Sequence, residues 1–583
     1  MLDLARRALE LGLDPNEPAP GRTRNYYYDE HDLERDSHDY NGTMVLLIAV
    51  RRADLPLVSL LLQYGANPSA AGRDRGSDNN YSTPLITAAR QDNLELFRLL
   101  ISAHDGTSRK VTTWSRRSLL EMRDWLGRTA LHEATNRGHD AIVRFLISRG
   151  SIVDARDSRA MTPLLCAIQK GHMSTVQVLL EAGADPWLHR DDWHGALDLA
   201  ADAVPAGGGD RLDILRAIWL ALSKPRPFGQ SYDADWHLRR THRVLAGAKA
   251  PAVKLLLDLG VDPDLEHKAE RTPLMARAES ISGNVDEVQL LIDAGADVNW
   301  SGPVDITTPL MVAVICGNVE LARLLLARGA FADVRNLVGS SALNLAASQG
   351  SEPMVRLLVD HLGQQQNPAG ATLADELKRT NNAGETPLMS ALSASSSVVE
   401  IFRISRLLLE HGDPAAMANS TTNEGVTPLE RAINTCDVRV LELLMDAGAD
   451  IEALDSQGRT ALAHAVSSLE QDMVRCLIER QPRPAHVNVC WTRPAVDDIP
   501  EQRLTPLASA AYSNAEQLVR ILLGHGADVE FALGVDPGLM DHVRDRQAER
   551  GGDMLELLLE HMSKDLHARY NDPAWRLTLD QEV

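Results

Sequence analysis

With 583 residues, 44% of them hydrophobic and only 4% aromatic, the chain is too long for one ordinary hydrophobic core and must build its interior mostly from Leu, Ala, Val and Ile. A formal net charge of −22 and a pI near 5.3 disfavour nucleic acid and anionic membranes as partners, and no apolar run reaches membrane-spanning length, which speaks against membrane insertion. The five cysteines, the closest two 14 residues apart, contain no C-x-x-C; they argue against a disulfide framework and for a reducing intracellular compartment, cytoplasmic or nuclear.

The opening "MLDLARRALELG" is interleaved with charges and is no secretory signal. Leu2, Leu4, Ala5, Leu9 and Leu11 fall at helical spacing and "GLDPN" reads as a terminating turn. Residues 1–16 therefore read as a half-repeat cap, or as the remainder of an array that continues upstream. Residues 17–43 form an acidic insert with Tyr26, Tyr27, Tyr28 and Tyr40, a contact loop or a disordered segment. From Met44, "MVLLIAVRRADLPLVSLLLQYGANP" predicts two short helices and a turn.

From Thr83 the pattern is explicit. "TPL" occurs at Thr83, Thr162, Thr272, Thr308, Thr386, Thr427 and Thr505, "TAL" at Thr129 and Thr460, and "SAL" at Ser341. Thr129 and Thr162, Thr308 and Ser341, and Thr427 and Thr460 are each 33 residues apart. In "TPLLCAIQKGHMSTVQVLLEAGADP", Thr162 is a natural N-cap and Pro163 gives up an N–H that would be unpaired anyway. Leu164, Ala167 and Ile168 line one face of a first helix that Gly171 stops. Val176, Val178, Leu179 and Leu180 belong to a second, which Gly183 ends in a left-handed turn. One period on, "GALDLAA" at Gly195 is a degraded copy, and weaker copies start at His237 and near Gly538. Such helices are marginal alone and must stack. Leu179, Leu325, Leu443 and Leu522, in the second-helix runs, are expected to be buried between repeats. Cys166, Cys316 and Cys476 are expected to be buried packing residues.

These residues resemble the ankyrin repeat: T-P-L-x-x-A, then G-x-x-x-x-V-x-L-L-L, then G-A-D, at a period of 33. The resemblance implies an all-α solenoid of roughly a dozen or more stacked helix–turn–helix repeats with short β-hairpin fingers, over about 44–562, with a tail at 563–583. The family's His after T-P-L stands only at His132. Elsewhere that slot holds Ile86, Leu165, Met275, Met311 or Asn344. Inserts near 102–127, 361–385 and 480–504 lengthen the spacing and map to loops, which often carry function. The first is locally basic (Arg109, Lys110, Arg116, Arg117, Arg123), a solvated loop or a site for an acidic peptide.

No enzymatic motif emerges. His132-Glu133 opens an H-E-x-x-H that Asn136 breaks, and there is no P-loop, nucleophile elbow or dinucleotide loop. No cofactor, metal or catalytic residue is assigned. The resemblance implies a scaffold or adaptor that binds other proteins through a concave groove, as a monomeric array. A substrate receptor or regulatory subunit of a larger complex, such as a ubiquitin ligase, is the alternative, and a non-catalytic part of an enzyme the third reading. Trp125, Trp187, Trp193, Trp300 and Trp491 lie in fingers or inserts, where an exposed indole invites a partner. Trp125, Trp187 and Trp300, with Asp124, Arg128 and His189, are the candidate partner-binding residues; packing of each Trp on the next finger is the competing role.

Overall fold

The computed structural model describes residues 2–16, 45–69, 71–73, 81–107, 119–191, 194–204, 211–224, 234–266, 271–279, 285–302, 306–364, 372–455, 458–480, 485–493, 502–550 and 553–570. The Tyr-rich insert, Arg109, Lys110, Arg116, Arg117, Trp193 and the tail beyond Tyr570 lie outside these residues. The chain divides into two bodies, Met1–His267 with Asp293–Gly295, and Lys268–Ile292 with Ala296–Val583.

Where a repeat keeps its Thr, the first helix starts with that Thr in extended conformation, and in most cases its hydroxyl turns onto the amide three residues on. Thr83 Oγ1 accepts from Ile86 N (3.2 Å), Thr162 from Leu165 N (3.3 Å), Thr308 from Met311 N (3.3 Å) and Thr505 from Ala508 N (3.2 Å). With Pro next, that bond satisfies donors which a helix start otherwise leaves unpaired. The helix pairs of the N-terminal body are Val45–Arg51 with Leu55–Gln63, Pro84–Ala89 with Leu94–Thr107, Ala130–Arg137 with Asp140–Ser148, Pro163–Lys170 with Met173–Glu181, Ala196–Asp202 with Arg211–Leu222, and Ala234–Gly247 with Ala250–Asp258. In the C-terminal body the pairs run from Pro273–Glu279 with Val285–Asp293 to Leu539–Arg550 with Met554–Leu559. First helices pack on first helices and second on second, as stacking requires. Phe97 and Phe145 meet edge to face across one such junction, 6.1 Å between centroids.

The "AGAD" turns end the second helices. Gly183 has φ 85° and Gly448 φ 93°, the left-handed region that an L side chain rarely occupies. In four places among the described residues an Asn just beyond the second-helix position ties one repeat to the next. Asn299 donates to Gly329 O (3.1 Å) and accepts from Phe331 N (2.7 Å). Asn419 and Asn488 repeat this bond pair with the following repeats. Asn16 does the same with Gly65 O and Asn67 N, and helix Leu2–Glu10 packs on Leu55–Gln63, so the half-repeat docks as a second helix and turn do.

The inserts hold structure of their own. Leu119 and Leu120 are buried, and the helix Leu373–Lys378 buries Glu376 and Leu377. Strands Trp491–Arg493 and Gln502–Leu504 pair antiparallel with Thr492 opposite Arg503. Strands Gly72–Arg73 and Tyr81–Ser82 make a shorter hairpin of the same kind.

Two expectations about burial need correction. Leu179, Leu325 and Leu522 are fully buried, but Leu443 is half-buried and Leu444 takes the interior place. Leu444 lies as far from its N-cap Thr427 as Leu179 does from Thr162, so distance from the N-cap, not place in the Leu run, sets the interior position. Among the cysteines, Cys166 is buried and its thiol is pushed up to about 12 by that burial. Cys316 and Cys476 are only half-buried. Cys316 follows the last turn of Pro309–Ile315, with Sγ 3.6 Å from Glu279 O.

Candidate functional site

The fingers are turns of one design. Asp124 N donates to Arg128 O (2.9 Å) and Gly127 N to Asp124 O (2.9 Å), while Asp124 Oδ1 accepts from the amides of Leu126 and Arg128. Asp157, Asn336, Asn381, Thr422 and Asp455 hold their turns with the same side-chain-to-amide bonds. Short polar side chains are suited to this because they reach their own backbone two residues on. Neighbouring fingers join edge to edge: Ser158 N donates to Leu126 O (2.9 Å), Asn382 N to Val338 O (3.0 Å) and Asn423 N to Ala383 O (3.1 Å). Gly127 is required here, since a Cβ on it would lie 2.8 Å from Ser158 N.

At the finger base, His132 fills the slot three residues after the N-cap. Its Nδ1 accepts from Thr129 N (3.1 Å) and its Nε2 donates to Met161 O (3.0 Å), so these partners assign the neutral tautomer. Burial also lowers its pKa, the Met161 carbonyl opposing. Asn344 reproduces the arrangement: Oδ1 accepts from Ser341 N (3.3 Å) and Nδ2 donates to Glu385 O (3.4 Å). Met161 and Glu385 are equivalent, each preceding the next N-cap. The slot also holds Asp198, accepting from Gly195 N (2.9 Å), and Glu430, accepting from Thr427 N (3.4 Å).

The candidate residues differ in what they present. Trp125, at the tip between Asp124 and Gly127, is 51% exposed. Trp187 and Trp300 are half-buried, and Trp300 lies in the C-terminal body. His189, also half-buried, bridges Gly195 across the base of its own finger and places Nδ1 2.8 Å from Arg190 O. Trp491 is 5% exposed and packs at the start of its hairpin. Asp124 is buried, and its Oδ2 takes a two-pronged bond from Arg128 (3.0 and 2.8 Å). Arg128 continues to Glu133 (2.6 Å), which also pairs with Arg90 (3.6 Å) and Arg137 (3.7 Å). Asp124 and Arg128 thus fix the finger that carries Trp125 to the first helices behind it.

Arg156, Arg159 and Arg335 join Arg123 as finger residues that no repeat motif marks. Arg123 Nη1 donates to Gly127 O (2.9 Å) and to Arg156 O in the next finger. Arg335 makes the matching bonds to Gly339 O (2.7 Å) and Thr380 O (3.1 Å). Arg156 and Arg159 flank the adjoining turn, both exposed. The signal was present as an Arg on either side of the turn's Asp in "RDWLGR" and "RDSRAM".

Among the described residues no group of three or more His, Cys, Asp or Glu is placed to share a metal ion, and no helix is long and apolar enough to cross a membrane. The arrangement offers recognition: exposed aromatic and cationic side chains on locked turns.

The model of ankyrin repeats matches residues 24–112, 116–190, 243–336, 370–455 and 436–532, more than half of the chain. The chain belongs to the ankyrin repeat family. It is similar to ankyrin repeat protein FPV031 of Fowlpox virus, 32% identical over 163 residues, which is 28% of this chain and 43% of the viral protein. It is similar also to ankyrin repeat protein YahD of Escherichia coli, 29% identical over 197 residues, 34% of this chain and 90% of the bacterial one. A third relative is the Caenorhabditis elegans ankyrin repeat and KH domain-containing protein mask-1, 26% identical over 292 residues, 49% of this chain and 10% of the worm protein. The viral and worm relatives are thus matched over less than half of their length.

Proposed function

We propose that the chain is a scaffold or adaptor that holds partner proteins on the surface built by its fingers and first helices, and that it acts without catalysis, as a monomer. Ankyrin repeats are generally protein-interaction modules, and the observation that carries the reading here is Trp125. A large aromatic side chain stands half-exposed at the tip of a turn that the Asp124 carboxylate locks from within. A side chain so exposed on a locked turn is preorganised for a partner, and Trp is the type most enriched where binding energy concentrates. Trp187 and His189 extend the surface along the N-terminal body, and Trp300 offers a separate contact in the C-terminal one. Asp124 and Arg128 act as positioning residues beneath Trp125.

The experiment is capture of partners by the full chain from native cells, followed by affinity measurement with the purified partner. Trp125→Ala, Trp187→Ala and Trp300→Ala should each weaken binding by about 2 kcal/mol or more with the thermal melt nearly unchanged. Intact affinity in all three, or losses that only track lost stability, would place the contact elsewhere.

A further inference from the structure

The charge on the two stacked fingers around Trp125 is opposite to that of the chain. Residues 123–128 and 156–161 contain four arginines, Arg123, Arg128, Arg156 and Arg159, and two carboxylates. Both carboxylates are spent inside their turns. Asp124 serves the Leu126 and Arg128 amides and the Arg128 guanidinium. Asp157 serves the amides of Arg159 (2.8 Å) and Met161 (2.8 Å). Arg123, Arg156 and Arg159 are exposed and form no ion pair among the described residues. The Ser158–Leu126 bond and the Arg123 bond to Arg156 O hold the two fingers side by side, so these arginines and Trp125 share one edge. The corresponding fingers at 380–385 and 421–426 carry Glu385 and Glu424 and no cation.

We propose that this edge docks a carboxylate-rich peptide segment of a partner protein. An apolar side chain of the peptide lies on Trp125, and its Asp or Glu side chains meet Arg123, Arg156 and Arg159. The inference rests on the protein-binding reading above and adds the chemical class of the ligand. Charge complementarity decides that class. In a chain of net charge −22 an acidic segment is repelled at long range, yet beyond about 8 Å such repulsion is screened at physiological salt, and local charges govern the contact. A guanidinium presents a planar fork of donors that matches a carboxylate, which a lysine does not. The exposed indole beside it adds apolar area at little cost in side-chain entropy.

The test is selection of random linear peptides, displayed on phage, against the full chain. The enriched peptides should be acidic with an interspersed apolar residue, and about 0.5 M salt should release them. The double change Arg156→Glu with Arg159→Glu should weaken them about tenfold or more, and the doubly changed chain should enrich basic peptides instead. Trp125→Ala should also weaken them about tenfold. The melting temperature should be unchanged in both variants, because all three side chains are exposed. Neutral or basic peptides that still depend on Trp125 would leave the finger site standing and overturn the acidic class. Peptides indifferent to all three residues, or no enrichment at all, would overturn the inference; indifference would remove the finger site with it. Tighter binding of a single-stranded DNA oligonucleotide through the same arginines would overturn it in favour of nucleic acid.

Discussion

The guanidinium of Arg240 occupies the space that a side chain would fill at Gly195. A Cβ built on Gly195 would run into Nη1 of Arg240, which reaches Asp198 at 3.3 Å. Gly195 stands where other repeats have an N-cap Thr, and it looks degenerate in sequence. It is the residue that lets a buried arginine from the following repeat pair with Asp198, which Arg243 also holds at 2.6 Å. Burial lowers the Arg240 pKa to about 10, Asp198 opposing that fall.

Restoring the family residue at this place should therefore do harm. Gly195→Thr is expected to destabilise the N-terminal body by about 2–4 kcal/mol, through overpacking and a displaced buried charge. The double variant Gly195→Thr, Arg240→Ala should recover part of the loss, because Arg243 still neutralises Asp198. Chemical denaturation of the wild type, both single variants and the double variant provides the cycle. Strict additivity would show that the two residues do not compete for the space.

Leu444→Ala should cost about 2–5 kcal/mol locally, since its side chain is fully buried, whereas Leu443→Ala should cost well under half as much. Amide exchange read on the helices Val438–Asp446 and Gln471–Glu479 separates the two. Equal losses would mean that the interior position is not where the structure places it. Because repeats are coupled mainly to their neighbours, the loss should appear as opening of adjacent repeats before global unfolding.

Glu430 should make the C-terminal body less stable as pH rises. The carboxyl is buried and its Oε1 has no hydrogen-bond partner, while the equivalent groups of His132 and Asn344 donate to a carbonyl. Burial, and then the charge of Asp455, push its pKa from 4.5 to about 7, against the Thr427 amide and Arg459. A raised carboxyl pKa contributes stability that is full below 4.5 and lost as pH rises through about 7. Glu430→Gln keeps the bond to Thr427 N and should stabilise by about 1–3 kcal/mol at pH 8, with little change at pH 4. Melts of both proteins across this range should converge at the acid end; parallel curves would show that Glu430 is not the titrating group.

Trp491→Ala and Trp125→Ala should part company in a melt. The first removes a side chain only 5% exposed and should cost about 3–5 kcal/mol. The second truncates one that is 51% exposed and should change stability by less than about 0.5 kcal/mol. A comparable loss in the two would assign Trp125 to packing and remove it from the proposed binding surface.

The sequence by itself determined the period of 33, the Thr caps, the left-handed glycines that end second helices, and so the ankyrin architecture. These features rest on hydrogen bonds closed within four residues, such as Leu165 N to Thr162 Oγ1, or on one residue's backbone freedom, as at Gly183. The interior Leu444 was legible too, by counting from Thr427 rather than from the Leu run. What only the tertiary structure decided are the bonds between repeats, whose partners lie far apart in the chain. His132 meets Met161 O 29 residues on, Asn344 takes over that task toward Glu385 O 41 residues on, and Arg243 finds Asp198 across 45. The candidate surface divided along the same line. The sequence put tryptophans in the fingers, but exposure depends on what the next finger covers, and stacking left Trp125 open, half-covered Trp187 and Trp300, and buried Trp491.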